Sequence, residues 1–64
     1  MEKITLKALR VNAKMTQAEA AQKLEISKKT LSNWENGVTF PDQQAIEKIC
    51  KLYGVSYDSI NFDV

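Results

Sequence analysis

One local pattern recurs five times along this 64-residue chain: an apolar residue, a short side chain able to cap a helix, and a second apolar residue four positions beyond the cap. The instances are Ile4-Thr5 with Leu9, Met15-Thr16 with Ala20, Ile26-Ser27 with Leu31, Pro41-Asp42 with Ile46, and Val55-Ser56 with Ile60. In each, the Thr, Ser or Asp oxygen can accept from a first-turn amide that the helix leaves unpaired, while the apolar pair closes as a hydrophobic staple. Thr16-Gln17-Ala18-Glu19 is also a full capping box. Gly37 and Gly54 stand where the third and fourth helices should end in a left-handed residue. No strand pattern competes. The pattern therefore predicts an all-α, compact five-helix domain over residues 1–64, with helices near 6–13, 17–24, 28–36, 43–53 and 57–62. The longest connection, "GVTFPD", contains Pro41, which discourages continuation of the third helix. The sequences between the starts do not match, so the pattern is not an internal repeat.

A chain of this length supports one small domain, burying about 60% of its unfolded surface; its 44% apolar content supplies a modest core. The single cysteine excludes an internal disulfide, and the absence of histidine removes the usual zinc ligand sets, so no metal or cofactor is expected. Glu2, Lys3 and Lys7 interrupt the first apolar residues, leaving neither a signal-peptide core nor an approach to the roughly 20 apolar residues of a membrane span. The expectation is a soluble, cytoplasmic protein without a membrane partner. Met1 reads as a native start, whereas the status of Val64 as the native end stays open. The net charge of +1 hides an asymmetry: residues 1–38 sum to +3 and residues 39–64 to −2. A basic front and an acidic back would orient the molecule towards a polyanion.

The second and third predicted helices leave only Glu25, Ile26 and Ser27 to reverse the chain. A turn this short between two short helices matches the helix-turn-helix motif, here at about 17–36, whose second helix can enter a DNA major groove. Ala21 supplies the small residue that a close crossing needs. With about 100° per residue and Leu31 as origin, Trp34 falls near 300° and Glu35 near 40°, so all three point inward. Lys29, Ser32, Asn33 and Asn36 point outward, with Lys28 lateral in the first turn. Such a face combines cationic donors for phosphate or guanine with an amide able to bind adenine at two atoms. A plain solvated face would carry the same residue types, and the preceding turn is what separates the two readings.

On the first helix, Leu6, Leu9 and Ala13 define the inward stripe, and Arg10 is the charge that falls on it. Burying Arg10 or Glu35 alone is expensive, so the geometry predicts a shielded, two-pronged Arg10–Glu35 ion pair clamping the first helix to the third. The bland alternative is that each side chain reaches solvent separately.

With these residues in hand, the chain resembles the phage repressor and Cro-type helix-turn-helix family, also called the XRE family. The segments "LKALR", "MTQAEAAQKL", "ISKKTLSNWENG", "FPD" and "LYGVS" carry the likeness across nearly the whole chain. The resemblance implies a lambda-repressor-like five-helix domain that binds a double-stranded DNA operator as a homodimer. It implies base contacts by Lys28, Lys29 and Asn33, with Thr30 and Ser32 at the margin. It places Gln17 at phosphate and as a brace for the recognition helix, and Asn36 with the loop backbone over Val38, Thr39 and Phe40 at phosphate. Arg10 and Glu35 also match a pair found in some members. Members usually carry glycine where this chain has Lys14 and Glu25; a left-handed backbone at either residue costs on the order of 1 kcal/mol. Glu25 also sets a negative charge near the DNA side.

Other features point away from catalysis. Cys50 falls among Ile46, Ile49 and Tyr53 at helical spacing, with no histidine to activate it, and reads as a small core residue. Asp42, Glu47, Asp58 and Asp63 are scattered over caps and solvent faces. Tyr57, Ile60, Phe62 and Val64 form an apolar tail with two readings: a homodimer seam, or, for Ile60 and Phe62, closure of the monomer core. The sequence thus predicts a non-enzymatic, sequence-specific transcriptional regulator, a repressor at a palindromic operator, with no small-molecule effector indicated. Two alternatives stay open: a protein-interaction module of the same fold, such as an antitoxin or regulatory subunit, and the DNA-binding part of a longer repressor.

Overall fold

The computed structural model describes residues 3–62. Its elements run β1 (Ile4–Thr5), α1 (Leu6–Asn12), α2 (Gln17–Leu24), α3 (Lys28–Glu35), α4 (Gln43–Tyr53), a 3₁₀ turn (Tyr57–Ser59) and β2 (Ile60–Asn61). Each α-helix opens on a side-chain cap. Thr5 accepts from the Ala8 amide, Thr16 from Glu19, Ser27 from Thr30 and Asp42 from Ala45, at 2.8–3.1 Å. Glu19 returns the bond by accepting from the Thr16 amide at 3.0 Å, completing the capping box.

The helix ends are equally regular. Lys14, Glu25, Gly37 and Gly54 have φ between 59° and 74°, the left-handed region. Beyond each of them the next amide, of Met15, Ile26, Val38 or Val55, donates back across the final turn to the carbonyl of Arg10, Ala21, Asn33 or Cys50. These are Schellman closures. At Lys14 and Glu25 a β-carbon is carried in a conformation that favours glycine.

The structure corrects the five-helix expectation: among the described residues there are four α-helices. Ser56 caps no amide; its hydroxyl meets that of Ser59 at 3.0 Å, and only one 3₁₀ turn forms. The chain then extends, and Ile60 and Asn61 pair in parallel with Ile4 and Thr5. This short two-stranded ladder closes the two ends of the domain against each other, a pairing that no local strand pattern announced. Ile60 is 3% exposed and joins the core of its own chain, so its side chain is not available to a dimer seam. Ala13, expected on the inward stripe of α1, is instead the exposed C-cap of that helix.

The core gathers Leu6 and Leu9 of α1, Ala20, Ala21 and Leu24 of α2, Leu31 and Trp34 of α3, Ile49 of α4 and Ile60 of β2. Alanine at both 20 and 21 lets α2 sit close against its neighbours, and α2 packs on α3 and α4 in turn. Cys50 packs against the core from a half-buried position. No helix among the described residues is long and apolar enough to cross a membrane. Asp63 and Val64 lie outside the described residues.

Candidate nucleic-acid interface

The α2–α3 turn fixes the geometry of the site. Leu24 ends α2, Glu25 adopts φ 60° and ψ 40°, and Ser27 caps α3, so the reversal takes three residues. Leu31 and Trp34 anchor the inner face of α3, at 0% and 8% exposure. That burial fixes the rotation of the helix and therefore its outer face. Lys28 and Lys29 are exposed in the first turn, and Asn33 is half-buried one turn further on. Among the described residues, none of these three side chains makes a hydrogen bond or ion pair within the chain. Their polar groups are available to a ligand.

Thr30 and Ser32 differ in this respect. Thr30 Oγ1 lies 2.8 Å from Ser27 Oγ, tied into the cap, and Ser32 Oγ accepts from Asn36 Nδ2 at 3.3 Å. Asn36 is thereby folded back along α3. In the loop beyond, the Val38 and Thr39 amides both donate to the Asn33 carbonyl, at 2.9 and 3.4 Å. Those two amides are spent on ending the helix. Of the loop backbone assigned to phosphate by resemblance, only the Phe40 N–H is left without a partner among the described residues. The side chains of Val38 and Phe40 are 67% and 61% exposed.

Arg10, Gln17 and Glu35 form one buried polar cluster behind this face. Arg10 Nε donates to Glu35 Oε2 at 2.7 Å and Nη2 to Oε1 at 3.3 Å, a two-pronged ion pair with side chains 11% and 2% exposed. Arg10 Nη1 also donates to the Met15 carbonyl at 2.9 Å, and Gln17 Nε2 to Glu35 Oε1 at 3.0 Å. Four segments are joined: α1, the turn after it, the first residue of α2, and the last residue of α3. The sequence pointed to the pair through two lone inward charges. It held no signal for the Met15 carbonyl; the bracing contact that the resemblance implies for Gln17 goes to Glu35. Tyr53 of α4 stands nearby with its hydroxyl buried and unpartnered among the described residues. Burial, and secondarily the Glu35 charge, push its phenol above the usual range, with Arg10 opposing.

Glu25 turns towards α4, where its carboxylate lies 3.5 Å from Lys48 Nζ. Both side chains are largely exposed, so the pair contributes little, but it directs the Glu25 charge to α4. Tyr57, 57% exposed, stacks on half-buried Phe62 with ring centroids 6.1 Å apart. Among the described residues no group of three or more His, Cys, Asp or Glu is placed to hold a metal ion.

Comparison with known proteins adds a second line of argument. The family described as helix-turn-helix matches residues 6–60. The chain is 45% identical over 53 residues to the HTH-type transcriptional regulator ImmR of Bacillus subtilis (strain 168), covering 83% of this chain and 42% of that protein. It is 31% identical over 55 residues to the HTH-type transcriptional activator BcrR of Enterococcus faecalis, covering 86% of this chain and 27% of that protein. It is 38% identical over 55 residues to Antitoxin PezA of Streptococcus pneumoniae serotype 4 (strain ATCC BAA-334 / TIGR4), covering 86% of this chain and 35% of that protein. The chain thus spans less than half the length of these curated relatives. No solved structure matches it. With the matched segment running from the first residue of α1 to the end of the 3₁₀ turn and beyond to Ile60, the chain belongs to the helix-turn-helix family of the phage repressor and Cro type, the XRE family.

Proposed function

We propose that this chain is a sequence-specific DNA-binding transcriptional regulator that seats α3 in the major groove. The observation that carries the reading is the outer face of α3, where Lys28, Lys29 and Asn33 stand with unengaged polar groups on a helix rotationally fixed by Leu31 and Trp34. Lys28 and Lys29 serve phosphate or guanine, and Asn33 serves adenine through its two amide atoms. Two copies bind a palindromic operator with their α3 helices about 34 Å apart, in successive major grooves. Repression follows from occupancy alone, since a bound dimer occludes polymerase; activation requires a further contact with the polymerase. The relative named as an activator makes a promoter-fusion reporter the direct arbiter of sign.

Selection from a random duplex library, followed by a salt titration of the winning sequence by fluorescence anisotropy, tests the reading. Enrichment of a short palindrome, with affinity falling steeply as salt rises, is the expected result. Failure of the folded protein to enrich any sequence at low salt refutes it. The likeness to a protein named as an antitoxin favours one second reading, a regulator whose α3 face meets a protein partner. Binding to that partner would survive salt that abolishes a phosphate contact.

A further inference from the structure

The Tyr53 hydroxyl, on the last residue of α4, is buried and unpartnered among the described residues, although buried polar groups are nearly always hydrogen-bonded. The charges that act on it are those of Glu35 and Arg10. A guanidinium has donors only, so of these two the Glu35 carboxylate is the one a hydroxyl can serve. With its phenol held above the ordinary range, Tyr53 stays protonated at neutral pH and is a donor. The two oxygens of Glu35 are unequally provided for. Oε2 takes Arg10 Nε at 2.7 Å, whereas Oε1 takes Gln17 Nε2 at 3.0 Å and Arg10 Nη2 at only 3.3 Å. Gln17 is also the most loosely held member of the cluster: it is neutral and half-buried, and its side chain makes one bond where Arg10 makes three. A helix-turn-helix that seats its second helix in the groove carries the first across the sugar-phosphate backbone, which draws an amide in the first turn of α2 towards phosphate oxygens.

We propose that Tyr53 is a positioning residue for DNA binding: when the Gln17 amide turns from Glu35 Oε1 to a phosphate, the Tyr53 hydroxyl takes its place at that oxygen. The inference rests on the operator-binding reading above. No proton is transferred; one donor replaces another. The exchange satisfies two groups at once. Without Gln17, Oε1 of a carboxylate side chain 2% exposed would keep one long bond, and an underserved buried charge is expensive. The Tyr53 hydroxyl has already lost its contact with water in the free chain, so its new bond forms without further desolvation. That bond also joins α4 to the last residue of α3, between which no hydrogen bond runs among the described residues. The recognition helix is then held from α1 and α4 while Gln17 is engaged outside.

Tyr53→Phe and Gln17→Ala, singly and together, test the exchange in two cycles, one read by urea denaturation and one by anisotropy on the selected duplex. Gln17→Ala leaves every Arg10 bond in place, so the fold is retained. In the first cycle Tyr53→Phe should leave the wild-type urea midpoint unchanged or raise it, and should lower the midpoint of Gln17→Ala, where the hydroxyl already serves Glu35. In the second the order reverses. Tyr53→Phe should weaken wild-type binding about tenfold, the worth of one hydrogen bond to a charged group, and equally across operator variants. In the Gln17→Ala background the hydroxyl is engaged with and without DNA, and the same change should cost less than about twofold. A merely structural Tyr53 would lower the midpoint in both backgrounds and show no such crossing. Tyr53→Phe that binds as tightly as wild type, with Gln17 serving carboxylate and phosphate through its two hydrogens, or that shifts both midpoints equally, overturns the proposal and leaves the operator-binding reading standing. A folded wild-type chain that binds no duplex refutes that reading and the exchange with it.

Discussion

Removing Arg10 while keeping Glu35 should be the most damaging single change in the polar cluster, and the pair supports a full double-mutant cycle. In Arg10→Met, the Glu35 carboxylate, 2% exposed, keeps only the Gln17 amide as donor. Breaking a buried pair from one side costs about 3–5 kcal/mol. A domain of this length has roughly 3–10 kcal/mol in total, so the variant should sit near its unfolding threshold at 25 °C. Glu35→Leu should cost less, about 2–3 kcal/mol, because Arg10, 11% exposed, retains the Met15 carbonyl at 2.9 Å and has a long stem with which to reach water. The double variant replaces both charges by apolar groups of similar size, a change that is often neutral or stabilising. Here it strands the Met15 carbonyl and the Gln17 amide, so its net cost should be within about 2 kcal/mol of wild type. The coupling energy then comes to about 3 kcal/mol or more. Urea denaturation followed by Trp34, the chain's one tryptophan and 8% exposed, reads all four proteins on one signal. If the two single costs add up to the double within about 0.5 kcal/mol, the residues act independently and the clamp is refuted.

Asn33→Ala should relax preference at one base pair per half-site by about 1–3 kcal/mol in competition binding against operator variants; uniform weakening across all sequences contradicts a base-reading role. Lys14→Gly and Glu25→Gly should each raise the urea midpoint, by up to about 1 kcal/mol of stability, because both residues hold a β-carbon at positive φ. Destabilisation at either site would mean that the side chain contributes more than the strain costs. The bond from the Thr16 amide to Glu19, seconded by the Thr16 side chain, holds the Glu19 carboxyl below its ordinary value. Ionised Glu19 therefore stabilises the fold above the unfolded carboxylate range, and that contribution is lost as pH falls through the lower folded value. Glu19→Gln should flatten this part of a midpoint-against-pH profile between about pH 6 and pH 3. Tyr53→Phe removes a buried hydroxyl that has no partner among the described residues, and should leave the thermal midpoint unchanged or raise it.

The legible parts of this fold are those whose physics is local. A cap is read from one side chain and the amides three residues on, and four of the five predicted caps make that bond. Lys14 and Glu25 carry no sequence mark of a left-handed residue; their backbone was anticipated only because the family places glycine there. Ser56 has the same local signature as Ser27, yet their fates diverge. After Ser27, Leu31 finds a core slot on a continuing helix; after Ser56, the slot open to Ile60 lies beside Ile4, and an extended backbone reaches it. That outcome depends on a partner more than fifty residues away, and two residues of ladder leave no alternation to detect.

The same division runs through the site. The outward placement of Lys29 and Asn33 was legible because helical rotation puts them opposite Leu31 and Trp34, whereas Lys28, lateral by the same rotation, is exposed by its place in the first turn. Whether an amide is free is decided by helix closure, which the resemblance does not specify: of the three loop amides, those of Val38 and Thr39 turn back to the Asn33 carbonyl and that of Phe40 does not. Gly37 at φ 74° lets the Val38 amide return to the Asn33 carbonyl, with Thr39 following at longer range. The residue proposed above to read a base is therefore also the one whose carbonyl ends α3. A substitution at Asn33 changes only the side chain and leaves that carbonyl in place, so a loss of base preference there can be separated from a loss of helix termination. A Gly37→Ala variant makes the complementary change. It strains the closure while leaving the Asn33 side chain intact, and should weaken binding to all sequences alike if the loop positions α3 against the backbone.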